Sequence, residues 1–172
     1  MKSFFATLAL SLSLLQSTAV ALSGIPVGSP DGVYVGKLDP NGTTIWEFVT
    51  NSAPASNTKR DDSSAAAITK RADGVNCQNV VVNSFDRENA VQALIDRCGN
   101  GYFYTGSAIA VQSGGVIAYG CNYGTSQTCF SWDVRSFLFA LYNNCGGDRA
   151  AWWGQSSWFA SYGYTALGQG FC

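Results

Sequence analysis

The chain has 172 residues, ten basic and eleven acidic side chains for a formal charge of −1, six cysteines and no histidine. Without histidine, a Ser-His-Asp or Cys-His nucleophile, a histidine-based ribonuclease and an ordinary catalytic zinc site are excluded. A slightly acidic balance also leaves no basic patch to hold a nucleic acid or an anionic membrane by charge, so neither is expected as a partner.

Residues 1–21 read as a secretory signal peptide. Lys2 supplies the positive start, Phe4 to Leu15 the apolar run, and Ala19-Val20-Ala21 a small-residue cleavage site. Ser11, Ser13, Gln16, Ser17 and Thr18 break the run well short of the ~20 apolar residues that a stable span needs, and no later stretch is longer, so no membrane span is expected. The expected location is extracellular, where an even number of cysteines implies disulfides rather than metal or redox chemistry.

Residues 22–71 contain no cysteine and read as a pro-segment. Within it, Gly32 to Val49 carries two apolar runs around Asp39-Pro40-Asn41-Gly42, which predicts a β-hairpin. Asn41-Gly42-Thr43 fits the acceptor pattern for N-glycosylation at Asn41. The stretch NSAPASNTKRDDSSAAAITKR that follows is polar and reads as an unfolded, exposed spacer. It holds two basic pairs, Lys59-Arg60 and Lys70-Arg71, and exposure is what a processing protease needs to take a chain in extended form. Cleavage after Arg71 is expected to release residues 72–172. The hairpin and its sugar are expected to assist folding or export and then to be discarded.

The remaining ~100 residues are expected to make one domain. After Arg71 there is no lysine, and six acids oppose four arginines for a formal charge of −2. After Asp86, the spacing of Ala90, Val91, Leu94, Ile95 and Cys98 predicts a helix stopped by Gly99. After Ser131, Val134, Phe137, Leu138 and Leu141 predict a second, ending at Cys145-Gly146. Strand signals lie at Asn79 to Asn83, Tyr102 to Val111, Gly115 to Cys121, Ala151 to Gly154 and the terminal GQGFC, with Ser113-Gly114 marking a hairpin. The β-α-β-β-α-β order predicts a small disulfide-bonded α+β sandwich, with two helices on one face of an antiparallel sheet of about four strands.

Six cysteines, Cys77, Cys98, Cys121, Cys129, Cys145 and Cys172, leave the pairing open. Cys121 with Cys129 would close a small loop, and Cys77 with Cys172 would tie the ends. No CxxC spacing exists, so no metal or other cofactor is expected. The absence of lysine removes Schiff-base chemistry, and the surviving catalytic option is a carboxylate pair, Asp86 with Glu88 or Asp133 with Asp148, flanking a glycosidic bond across roughly 5–10 Å. Helix capping and solvation account better for these acids, so an enzyme is not expected. Aromatics are the other outlier: Trp152, Trp153, Trp158, Tyr162 and Tyr164 crowd an uncharged, Gly- and Ser-rich stretch and are the candidate binding residues.

The signal peptide, the pro-segment ending in Lys-Arg, the six cysteine positions and the ending QGFC resemble the small cysteine-rich secreted proteins of fungi, a group that includes killer toxins and plant-associated effectors. The resemblance implies a kexin-type processing protease as one partner and an extracellular host or competitor target as the other. The expected function is a secreted, non-enzymatic effector or toxin-like protein. The alternative is a carbohydrate-binding or cell-wall module that stacks exposed aromatics on sugar.

Overall fold

Two apolar runs flanking a turn make the first element pair. A computed structural model describes residues 23–49 and 73–172 and shows Gly32–Leu38 (β1) and Thr44–Val49 (β2) as the expected antiparallel hairpin. The Asp39 carboxylate closes the turn by accepting from the amides of Asn41 at 2.9 Å and Thr43 at 2.7 Å, and Gly42 takes the positive φ of 80°. Asn41 is exposed at its tip. The signal-peptide run and both Lys-Arg pairs lie outside the described residues.

After β3 (Gly74–Val81) comes α1 (Ser84–Cys98). Asn83 caps it, accepting from the amides of Phe85 and Asp86. Asp86, expected at the helix start, sits inside the first turn and instead accepts from the Gly115 amide at 2.9 Å. The chain continues through β4 (Tyr102–Tyr104), β5 (Ala108–Ser113), β6 (Val116–Asn122), β7 (Gln127–Cys129), α2 (Ser131–Cys145), β8 (Arg149–Gln155), a 3₁₀ turn (Ser156–Trp158) and β9 (Ala160–Ala166).

The fold is α+β with both helices on one face, but the sheet is larger than the expected four strands. Seven antiparallel strands run in the order β2-β1-β5-β6-β9-β8-β3, and β4 pairs separately with β7. The expected strand from Tyr102 to Val111 is two strands. It breaks at Gly106, where a Cβ would stand 2.5 Å from the Gly36 carbonyl oxygen, so only glycine admits the β1 backbone there. The terminal GQGFC is not a full strand; it delivers Phe171 and Cys172, both buried, onto the sheet face away from the helices.

Alternation along the strands divides the core in two. On the helix face, Leu94 and Ile95 of α1 and Val134, Leu138 and Leu141 of α2 cover Val33, Ile109, Val111, Val116, Ala118, Tyr162 and Tyr164. On the other face, Ile25 and Phe171 cover Tyr34, Ala110, Ile117 and Tyr119. Strands β5 and β6 are therefore buried on both sides, which is why they read as nearly unbroken apolar runs. Aromatic side chains press against strand glycines in both layers: the Trp46 ring on Gly36, the Tyr162 ring on Gly120 and the Tyr119 hydroxyl on Gly163.

The six cysteines form Cys77–Cys145, Cys98–Cys129 and Cys121–Cys172, so both suggested pairings are wrong. The faces decide it. Cys121 lies in the layer away from the helices and Cys129 in the helix layer, so the sheet stands between them despite their closeness in sequence. Cys98 and Cys145 end the two helices, and each is tied to a strand.

Candidate functional site

Two of the five aromatic candidates do not reach the surface. Tyr162 and Tyr164 are 3% and 0% exposed because β9 is an interior strand covered by both helices. Trp152 and Trp153 are half-buried and, as neighbours on β8, point to opposite faces: Trp153 meets Phe137 of α2 at 5.5 Å between ring centroids, and Trp152 packs on the layer away from the helices. Trp158 alone is well exposed, at 47%.

The larger exposed aromatics come from residues that were not singled out as binders. Helix α2 buries Val134, Leu138 and Leu141 on one side, and Trp132 and Phe139, seven residues apart, stand 55% and 65% exposed on the outer side. Tyr142 joins them one turn on, with the Arg87 guanidinium 4.9 Å from its ring centroid. The signal was available in SWDVRSFLFALYNN, where more apolar positions occur than one helix face can bury.

Phe130, just before α2, stacks on Trp132 at 4.6 Å. Trp158 lies on the other side of the helix, where it touches Phe137 edge-on at 5.7 Å. The Gln127 side-chain amide donates to the carbonyls of Trp158 and Phe159, anchoring the 3₁₀ turn to β7. Phe159 itself adopts φ 51°, a left-handed conformation that costs a residue with a side chain roughly 1–2 kcal/mol. It is half-exposed, and the Tyr123 amide bonds to its carbonyl at 2.8 Å.

The acids do not converge. Asp86 and Glu88 are two apart on α1 and face different ways; Asp86 accepts from Gly115 and Glu88 accepts from Arg87 at 3.2 Å. Asp133 and Asp148 flank opposite ends of α2, which separates them by about 20 Å, twice the widest spacing a carboxylate pair uses. A groove of about 880 Å³ with a mixed polar and apolar lining opens between α1, β1 and β5, with Asp31, Asn89, Asp96, Arg97, Tyr102 and Gln112 among the residues around it. Arg97 lies over the Tyr102 ring at 4.2 Å, and the side-chain oxygen of Gln112, a residue 4% exposed, has no hydrogen-bond partner.

Burial also fixes how the molecule responds to alkali. It pushes the hydroxyls of Tyr104, Tyr162 and Tyr164 above their usual range, with neighbouring tyrosines and Asp133 adding to the shift and Arg87 opposing it at Tyr164. The folded state thus holds protons that the unfolded chain releases near pH 10. Stability should be level below about pH 10 and fall above it by up to ~1.4 kcal/mol per pH unit for each such tyrosine. Denaturant melts from about pH 8 to 11.5 check this, with Tyr104→Phe expected to lessen the slope; a level profile throughout would contradict it.

Among the described residues no helix is long and apolar enough to cross a membrane, and no cysteine is free. The geometry defines a three-disulfide α+β sandwich with an aromatic helix face. Comparison with known proteins finds no matching family, no matching curated protein and no matching solved structure.

Proposed function

We propose that the protein is exported, cut after Lys70-Arg71 by a kexin-type protease, and acts outside the cell on a host or competitor as a non-enzymatic, toxin- or effector-like binder. The observation that carries the reading is the outer face of α2. A helix already anchored by Val134, Leu138 and Leu141 gains little in stability from Trp132 and Phe139 on its outer side, and large aromatics left exposed on one helix face mark partner surfaces. Three disulfides suit an oxidising, extracellular setting.

The test is the triple variant Trp132→Ala, Phe139→Ala, Trp158→Ala, applied to plant tissue or rival microbial cells beside the parent protein. Each hot-spot aromatic is worth about 2 kcal/mol or more, roughly thirtyfold in affinity, so the response should vanish while the melting temperature stays within a few degrees. An undiminished response from the triple variant removes the aromatic face from the function.

A second reading, a carbohydrate-binding or wall-associated module, is favoured by the groove beside α1. Tyr102 offers a ring, and Asn89 and Asp96 offer the amide and carboxylate groups that hydroxyls bond. Co-sedimentation with insoluble wall polysaccharide, abolished by Asp96→Ala with Asn89→Ala but not by the triple aromatic variant, would establish this reading over the first.

A further inference from the structure

Residues 23–49 were expected to be discarded after processing, yet they form a structural part of the sheet. Strand β1 pairs with β5 over Gly32↔Gln112 to Gly36↔Ala108. Gly36 accepts at its carbonyl from the Ser107 amide at 2.8 Å and the Ser107 hydroxyl at 3.0 Å. The Gln112 side chain donates to the Ser29 carbonyl at 2.8 Å, and the Gly114 amide donates to Asp31 at 2.9 Å. Apolar burial matches these bonds: Ile25 is 0% exposed, Val33 and Tyr34 4% each, and the Trp46 ring meets Phe171 at 5.2 Å.

Topology separates this attachment from the chain connection. Strands β2 and β3 are consecutive in sequence but occupy opposite edges of the seven-stranded sheet, six strand spacings or about 29 Å apart. Residues 50–73 between them reach roughly 80 Å when extended, so the connection imposes no constraint on either edge. Removal of the segment, by contrast, would bare the β5 edge and uncover Tyr119 and Phe171, now 1% exposed each.

We propose that residues 23–49 are a retained subunit: processing yields two chains held together through the β1–β5 ladder and the layer around Phe171, with no covalent link. The inference rests on the processing reading above. The segment holds no cysteine, and all six cysteines pair within residues 77–172, so noncovalent contacts alone must keep it in place.

The test uses the full chain, expressed for export and digested with a kexin-type endoprotease. Its products are compared by native mass spectrometry and by a denaturing, non-reducing gel. The expected result is two chains on the gel and one complex, carrying both masses, under native conditions, with unchanged circular dichroism. In the Ile25→Ala variant, cut the same way, exchange of the short chain against labelled peptide 23–49 should be faster by about tenfold or more. A chain that stays uncut overturns the processing step. Loss of the short chain from a still-folded body, or an Ile25→Ala exchange rate equal to the parent's, overturns retention.

Discussion

Replacing Gly163 by valine is expected to abolish the native fold. Gly163 lies opposite Trp152 on β8 and Tyr119 on β6, in the middle of the sheet. A Cβ built there would stand 2.6 Å from the Ala151 carbonyl oxygen, 2.6 Å from the Tyr119 hydroxyl oxygen and 2.8 Å from the Trp152 Cβ. The first of these is backbone, and it cannot retreat without opening the β8–β9 ladder. Tyr119 cannot retreat either, since it is 1% exposed and stacked on Phe171 at 4.4 Å. Overpacking by a single methyl group costs about 1–3 kcal/mol in a well-filled core. Three branched carbons against backbone exceed that and approach the ~5–15 kcal/mol that holds a whole domain together. Circular dichroism and a thermal melt check this. Gly124→Ala is the control, because a Cβ there meets only Asn122 Oδ1 at 3.6 Å and Phe159 Cβ at 3.8 Å, and its melt should match the parent's within about a degree or two.

Removing the Cys121–Cys172 bridge, as Cys121→Ser with Cys172→Ser, should produce the second large loss, concentrated on one side of the molecule. The bridge closes a 51-residue separation, for which chain entropy gives about 4 kcal/mol. It also holds the last residues against β6, where Phe171 fills the space between Tyr119 and Trp46. Without it, Phe171 loses its anchor, and the contacts that Ile25 and Trp46 make in that layer weaken with it. Amide exchange should therefore rise at least about tenfold in β1 and in residues 167–172, with α1 and α2 less affected because Cys98–Cys129 and Cys77–Cys145 remain. A uniform rise across both helices would show that the bridge stabilises the whole domain rather than this layer.

The elements most legible in the sequence are those specified by neighbours in the chain. Both helices follow from apolar spacing with a cysteine and glycine at the end, and the β1–β2 hairpin follows from Asp39-Pro40-Asn41-Gly42. The sheet was underestimated because its interior strands do not alternate polar with apolar: β9 reads ASYGYTA, and its tyrosines look like a binding surface until Gly120 is seen beneath the Tyr162 ring. Disulfide pairing was illegible for the same reason, since which face Cys121 takes depends on the register of β6 and not on its distance in sequence from Cys129. The place of the hairpin at β5 is a non-local pairing, invisible to any reading of segments in order. Of the candidate site, the uncharged aromatic stretch in the sequence points to Trp158 alone. Trp132 and Phe139 do not stand out by their spacing in the sequence, because helical spacing marks the buried stripe and carries no signal for the side that faces solvent.

The first and last described residues meet on the sheet face away from the helices. Gly24 is packed so closely on Gln169 that a Cβ would stand 2.3 Å from the Gln169 carbonyl oxygen, and Ile25 shares its layer with Phe171. Within the described residues the polypeptide is therefore close to a ring, its two ends meeting beside Phe171. A circularly permuted gene, beginning at Asp73 and running through a short linker from Cys172 into Ser23, would encode every contact described here with the hairpin as its C-terminal piece. Seen this way, the order in which the hairpin and the disulfide-bonded body emerge from the ribosome is a matter of timing and export, and the architecture itself is indifferent to it.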